Sequence, residues 1–251
     1  MTHARPLTAL TFDLDDTLWD NGQVMAHTET GHYAWLDAAL TTWHGARLGT
    51  LGRFGERFPL TAYQQRRGEL ATRNPLRRGD FTWIRQQSLY ELLIEYGLEA
   101  AEARRWATAA MEEFMTLRHR LTPYPEVEPL LTRLGTQFRL AAVTNGNVDL
   151  DRLPLAHHFP VRIAAGELQA PKPDARPFLA ALSRLQATPA QALHVGDSWD
   201  EDVLPAQRLG MRVAWIDKRD VGLPASLSGV YRLTHVRELQ ALIERLATGD
   251  R

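Results

Sequence analysis

Asp13 and Asp15 stand two residues apart in Phe12-Asp13-Leu14-Asp15-Asp16-Thr17-Leu18, at the end of an apolar run. At the end of a β-strand this spacing points both carboxylates to one side. One carboxylate can attack phosphorus and form an aspartyl-phosphate, while the other serves first as acid and then as base. The same letters also suit an acidic strand-to-helix loop with Asp16 or Thr17 as an N-cap.

Three further segments offer related chemistry. Thr144-Asn145-Gly146-Asn147 sets a hydroxyl and an amide beside a glycine turn. Such groups, with backbone N–H groups, can donate to phosphoryl oxygens, although Asn-Gly is equally a plain turn signal. Pro171-Lys172-Pro173-Asp174 brackets a lysine with prolines that restrict the backbone on both sides. An ammonium held there can offset phosphate charge; most lysines simply sit in solvated loops. In Val195-Gly196-Asp197-Ser198-Trp199-Asp200-Glu201-Asp202 a carboxylate follows a glycine that permits a sharp turn. Asp197 could join Asp13 on a hard cation, since Mg²⁺ suits a few carboxylates, substrate phosphate and retained water. An exposed helix start would be acidic for another reason, its dipole. Only Lys172 and Lys218 are lysines, so a lysine required by chemistry has few places to be.

These segments need a scaffold that brings them together. Residues 7–14 read as a buried strand with charge at its C-terminal end. The next strand, residues 139–144, follows only after a long helical stretch. There Val24, Thr28, Trp35, Leu36, Ala39, Leu40 and Trp43 mark one helix face. Phe81, Ile84, Leu89, Leu92, Leu93 and Tyr96 mark a second, and Ala103, Trp106, Ala107, Ala110, Met111, Phe114 and Leu117 a third. Thr61 with Gln64 resembles a capping box that opens a weaker helix between them.

From residue 125 onward helices and strands alternate. Strands are expected at 161–164, 192–195 and 212–216, and helices near 126–134, 175–185, 201–209 and 236–246. Thr188-Pro189-Ala190-Gln191 reads as a capped turn. The alternation predicts an α/β fold, a Rossmann-like parallel sheet covered on both faces. Residues 21–120 interrupt that sheet after its first strand and read as an inserted α-helical cap domain; residues 1–20 and 121–251 form the core. Ligands of such sheets collect at the carboxyl ends of the strands, which is where all four segments fall.

Composition narrows the function classes. A chain of 251 residues with 44% hydrophobic and 24% charged residues is ordinary for a globular protein. Its net charge of −1 offers no global attraction to nucleic acid or membrane. The absence of cysteine excludes disulfides and thiolate metal sites. Residues 1–6 carry no apolar leader, and no window approaches a membrane span, so a cytoplasmic protein is the expectation.

Asp13-x-Asp15-x-Thr17, Thr144, Lys172 and Gly196-Asp197 with Asp202 resemble the four motifs of the haloacid dehalogenase-like hydrolase superfamily. The likeness covers nearly the whole chain, with the helical insert at the family's first cap position. It implies Asp13 as nucleophile and Asp15 as general acid and base. Mg²⁺ would be held by Asp13, Asp197 and the backbone carbonyl of Asp15. Thr144 and Lys172, with Asn145 beside them, would bind the phosphoryl group. Asp202 would steady Lys172, and Thr17 the loop.

Family dehalogenases lack an acid two residues after the nucleophile, and phosphonate-cleaving members have a small residue there. Asp15 therefore implies hydrolysis of a phosphate ester on a small phosphorylated metabolite; a phosphomutase would share these residues. The segments around Asp13 and Thr144 resemble a bacterial branch acting on FMN and on 5-amino-6-(5-phospho-D-ribitylamino)uracil. Thr-Asn-Gly also occurs in nucleotidases and acylneuraminate phosphate phosphatases, and sugar phosphates stay open as substrates. A non-catalytic phosphoryl-binding protein would show a broken motif at Asp13, Asp15 or Lys172, and none is broken. Substrate choice would belong to the cap, whose Tyr33, Trp35, Trp43, Tyr63, Trp83, Tyr90 and Trp106 are mostly expected to be packing, with a few stacking on a flat ring. His27, His32 and His44 show no metal spacing.

Overall fold

The segments ALTF at Ala9–Phe12 and ALHVG at Ala192–Gly196 are buried at every position, as strands covered on both faces must be. They lie side by side at the centre of a six-stranded sheet. Its strands are β1 (Ala9–Phe12), β2 (Arg139–Thr144), β3 (Val161–Ala164), β4 (Ala192–Gly196), β5 (Arg212–Ile216) and β6 (Val230–Leu233). All pairings are parallel, in the order β3-β2-β1-β4-β5-β6. The computed structural model describes residues 6–44, 51–164, 166, 168–223 and 227–248.

Register decides what meets at the sheet's end. Phe12 is level with Ala142 of β2 and Val195 of β4, so the chain leaves all three strands at one edge. The strand order also reverses at β1, which opens the crevice where ligands of such sheets bind. β6 is a sixth strand, beyond the five expected from the sequence. It has four residues, lies at the sheet's edge and buries only its two ends, too little pattern to stand out from a loop.

The chain divides into two compact units, Asn21–Leu121 and the remainder, Met1–Asp20 with Thr122–Arg251. In the first, α1 (Asn21–His44) and α4 (Phe81–Tyr96) both pack on α5 (Ala100–Arg118), with α2 (Phe54–Arg57) and α3 (Leu60–Arg73) beside them. Gly31 lets α1 approach α5 closely, since a Cβ there would come within 2.8 Å of Leu117. Asp80 caps the start of α4 through the Trp83 N–H, and Gly97 ends it at φ 111°, a conformation that favours glycine.

The three predicted helix faces are largely the buried ones, although Trp43 and Phe81 remain partly exposed. Tyr33 and Tyr63 stack within the core of this unit, while Trp35, Tyr90 and Trp106 pack at its margin. His32 is core and neutral, burial pushing its imidazole down to about 4. His27 is exposed, and the His44 side chain lies outside the described residues. The predicted capping box at Thr61 does not form. Pro59 is the N-cap of α3, no side chain caps it, and Gln64 reaches Glu29 at 3.3 Å instead. Proline's restricted φ starts the helix before Thr61 can act.

In the second unit, α6 (Val127–Gly135) buries Val127, Leu130, Leu131 and Leu134, the spacing of one helix face. α7 (Arg176–Arg184), α8 (Leu204–Arg208) and α9 (Leu239–Thr248) complete it, and Thr188 with Gln191 does form the predicted capping box. The helix expected over 201–209 is instead a wide π-turn, Trp199–Val203, leading into the short α8. The Ser198 carbonyl accepts from both Asp202 and Val203, and Pro205 has no N–H to continue a regular ladder. Among the described residues no helix is long and apolar enough to cross a membrane.

Candidate active site

Asp13, Thr144 and Asp197 stand at strand ends, and the loops after β3 and β4 bring Lys172 and Asp202 to them. The Asp13 N–H still donates to the Val195 carbonyl at 2.8 Å, so strand pairing aims its carboxylate. Asp13 is 6% exposed and Lys172 only 3%. The Lys172 ammonium donates to Asp13 Oδ1 at 2.6 Å and to Asp202 Oδ1 at 2.5 Å. Burial alone would favour loss of its proton; Asp13 and Asp202 reverse that and raise it above the ordinary lysine range.

One ammonium cannot neutralise two carboxylates. Asp202 has the stronger claim, because its Oδ1 also meets His194 Nε2 at 3.1 Å and its Oδ2 accepts from the Ser198 N–H at 3.0 Å. Burial opposes the Asp202 charge, but Lys172 and His194 overcome it and hold the carboxyl below the usual range. Asp13 is left short of positive charge. Burial pushes it well above the usual carboxylate range, Lys172 opposing and Asp202 and Asp197 adding to the rise. Asp197 is itself pushed up to about 7, by burial and then by Asp202 and Asp16.

Oxygens of Asp13, Asp197 and Asp202 lie within 4.8 Å of one another. Three carboxylates served by one ammonium lack two balancing charges, and such a set of oxygens is what a hard divalent cation takes, so these residues fit Mg²⁺. Asp13 and Asp197 have the capacity; the oxygens of Asp202 are already occupied.

Asp15 and the Thr144 turn meet beside this cluster. Asp15 Oδ1 accepts from the Trp19 indole at 2.9 Å, and its other oxygen lies against Gly146, where a Cβ would come within 2.4 Å. The Gly146 N–H donates to Thr144 Oγ1 at 2.9 Å. Thr17 Oγ1 is 3.5 Å from Asp13 Oδ2, a long contact. Asn145, expected at the phosphate, has its side chain committed elsewhere. It accepts from the Lys172 N–H at 2.8 Å and donates to the Lys172 carbonyl at 3.0 Å and to Glu201 at 2.9 Å. It braces the lysine. Gly196 has a comparable steric role, since a Cβ there would come within 2.4 Å of Asp202 Cγ; only glycine lets the π-turn fold Asp202 back under the strand.

Two further residues, neither given a role by the motifs, belong to the site. Lys218, the second lysine, binds Asp16 at 2.7 Å and helps line a cavity of about 300 Å³ with Asp197 and Trp215; its rarity was the available signal. His194 is a polar residue inside the buried strand β4, and that position was its signal. An ionised carboxylate only accepts, so Nε2 carries the proton toward Asp202, and Nδ1 accepts from the Thr11 hydroxyl at 2.8 Å. His194→Leu removes a donor from Asp202 and strands Thr11. We expect chemical denaturation to show a loss of about 1–3 kcal/mol, together with a lower kcat; an unchanged denaturation midpoint would refute this bracing role.

A family model described as haloacid dehalogenase-like hydrolase matches residues 7–210. The 5-amino-6-(5-phospho-D-ribitylamino)uracil phosphatase YigB of Escherichia coli (strain K12) is 32% identical over 219 residues, 86% of this chain and 87% of that one. A phosphoserine phosphatase of Thermus thermophilus is 36% identical over 141 residues, spanning 54% of this chain and 55% of that one. Among solved structures, a 2-haloacid dehalogenase from Pseudomonas syringae pv. Tomato DC3000 superposes with a TM-score of 0.81 at 32% identity, covering 96% of this chain and 99% of that one. With the family match over most of its length and a six-stranded parallel sheet of the expected kind, the chain belongs to the haloacid dehalogenase-like hydrolase family.

Proposed function

We propose that the protein is a phosphomonoesterase that works through an aspartyl-phosphate on Asp13. The observation that carries this reading is the convergence at one sheet edge of Asp13, its buried partner Lys172 at 2.6 Å, and Asp15 lying against the Thr144-Gly146 turn. A carboxylate at Asp15 also argues against the chemistry for which the Pseudomonas syringae dehalogenase is named, because displacing a halide needs no acid to protonate a leaving oxygen.

In the first step an Asp13 oxygen attacks phosphorus and the bond to the ester oxygen breaks. Asp15 gives its proton to that oxygen, and the alcohol departs. Asp15 then takes a proton from water as the water oxygen attacks the same phosphorus, releasing inorganic phosphate and freeing Asp13. Lys172 and Thr144 hold the phosphoryl oxygens, and Asn145 and Asp202 keep Lys172 in place. Mg²⁺ held by Asp13 and Asp197, with the Asp15 carbonyl, would supply charge neutralisation for the phosphoryl group and keep Asp13 ionised.

The substrate we favour is a phosphorylated intermediate of the flavin pathway or FMN, on the strength of the likeness to the Escherichia coli phosphatase; the helical unit would act as the selective cap. Phosphate release should be measured from FMN, 5-amino-6-(5-phospho-D-ribitylamino)uracil, nucleoside monophosphates and sugar phosphates, with Mg²⁺ and with EDTA. Turnover that survives EDTA would sink the metal assignment, and a preference for simple sugar phosphates would sink the flavin assignment. Halide release from a 2-haloacid would reverse the choice of chemistry.

Metal binding should also depend on pH. A carboxyl raised in the folded protein is better tolerated protonated, so the stability it contributes is present at acid pH and is lost as pH rises through about 7 at Asp197. Mg²⁺ must expel that proton below this pH and relieves the repulsion above it. Its apparent affinity should weaken by at least about tenfold per pH unit below the Asp197 transition, since the raised Asp13 carboxyl must also be ionised to bind, read as the Mg²⁺ concentration that half-protects against thermal unfolding. A flat profile between mildly acid and mildly alkaline pH would show that Mg²⁺ displaces no proton from Asp197.

A further inference from the structure

We propose that Glu128, His157 and His158 form a second metal site, for an imidazole-preferring divalent ion such as Zn²⁺, separate from the carboxylate cluster at the strand ends. Glu128 lies in the first turn of α6, and the two histidines close the short 3₁₀ segment Pro154–His158. His158 Nε2 is 2.9 Å from Glu128 Oε1, and His157 Nε2 is 3.4 Å from the same oxygen. One donor atom from each of the three residues lies within 4.8 Å of the others. The imidazoles lie side by side, their centroids 3.8 Å apart.

Hydrogen bonding fixes which nitrogen of His157 is available. Its Nδ1 is 2.8 Å from the Pro154 carbonyl, and a carbonyl can only accept, so Nδ1 carries the proton. In the neutral ring Nε2 is then a bare lone pair facing a carboxylate oxygen. A cation placed between these two acceptors would satisfy both. Metal-bound histidines commonly donate their other N–H to a backbone carbonyl in this way, which sets ring orientation and raises ligand basicity.

Spacing and donor type favour a metal of the zinc kind. Ligands about 2.0–2.1 Å from a tetrahedral ion lie about 3.4 Å apart, the separation of His157 from Glu128. The shorter His158 contact needs only a small shift, which Glu128, with a side chain 48% exposed, can make. Leu155 and Phe159 are buried on either side of the histidines, so the segment is anchored before any ion arrives. Two imidazoles and one carboxylate suit Zn²⁺, Ni²⁺ or Cu²⁺, whereas Mg²⁺ prefers oxygen donors. Binding would fasten α6 to the segment that leads into β3, with water completing the coordination.

The test is calorimetric titration of the full chain with Zn²⁺, in excess Mg²⁺ to occupy the strand-end carboxylates. The expected result is one Zn²⁺ per chain. His157→Ala and Glu128→Gln should each weaken it by at least about tenfold, the scale that even an outer-shell change produces. Both side chains are largely exposed, and unaltered melting without Zn²⁺ would establish that the variants fold. Absorption of Co²⁺-loaded protein should show tetrahedral bands that His157→Ala abolishes. Zn²⁺ binding that is unchanged in both variants, or lost only in Asp13→Asn, would overturn the proposal. So would the absence of Zn²⁺ binding in the presence of Mg²⁺.

Discussion

Asp13→Asn should abolish phosphomonoester turnover, lowering kcat by at least about 10³-fold, because nucleophile and metal ligand vanish together. The substitution should not unfold the protein. Asn matches the shape of Asp, and the Asp13 charge is already disfavoured by burial and by the neighbouring Asp202 and Asp197. In the absence of Mg²⁺ the variant should therefore melt no lower than the parent. The rise in Tm that Mg²⁺ gives the parent should disappear, since that rise measures binding to the folded state alone. Rapid-quench measurement with labelled substrate would add a third readout, as the phosphorylated enzyme should form in the parent and not in the variant. Turnover within an order of magnitude of the parent would refute the nucleophile assignment whatever the melting data showed.

Lys172→Met should damage both fold and activity. The ammonium is shared by Asp13 and Asp202 at 2.6 and 2.5 Å and is almost wholly buried. Removing one member of such a group leaves uncompensated charge in a low-dielectric site, at a cost of about 3–5 kcal/mol. Turnover should also fall by about 10²–10³-fold, the scale of losing one preorganised donor to a developing phosphoryl charge. The two losses are separable. Adding Asp202→Asn removes the stranded carboxylate, so the double variant should recover part of the stability and none of the activity. Lowering the pH should narrow the stability gap of the single variant as its carboxylates take up protons. A single variant as stable as the parent would mean that the contacts of Lys172 are incidental to the fold.

The sheet strands and the order of the motifs were legible in the sequence because both are local. Buried parallel strands are short apolar runs, and β2, β3 and β5 occupy the expected residues. Gly146 and Gly196 were visible as turn residues. The exclusion of any Cβ by Asp15 and Asp202 was not visible, because those contacts depend on how two loops fold against each other. Local chemistry also misled where two signals competed: Thr61 and Gln64 have capping-box letters, but Pro59 starts the helix first.

What the sequence by itself determined was the kind of chemistry available and the order of the groups along the chain. Asp13, Asp15, Thr144, Lys172 and Asp197 are all present, and a strand-end position follows from periodicity alone. Only the tertiary structure decided which charge meets which. Lys172 reaches Asp13 across 159 positions, and that meeting depends on β1 lying between β2 and β4 in the observed register. The same packing turns Asn145 toward the Lys172 backbone, inserts His194 between Thr11 and Asp202, and leaves Asp13 and Asp197 short of positive charge. Backbone periodicity is set by neighbours a few residues away, whereas the desolvation and pairing of charges are set by whichever distant segments happen to close over them.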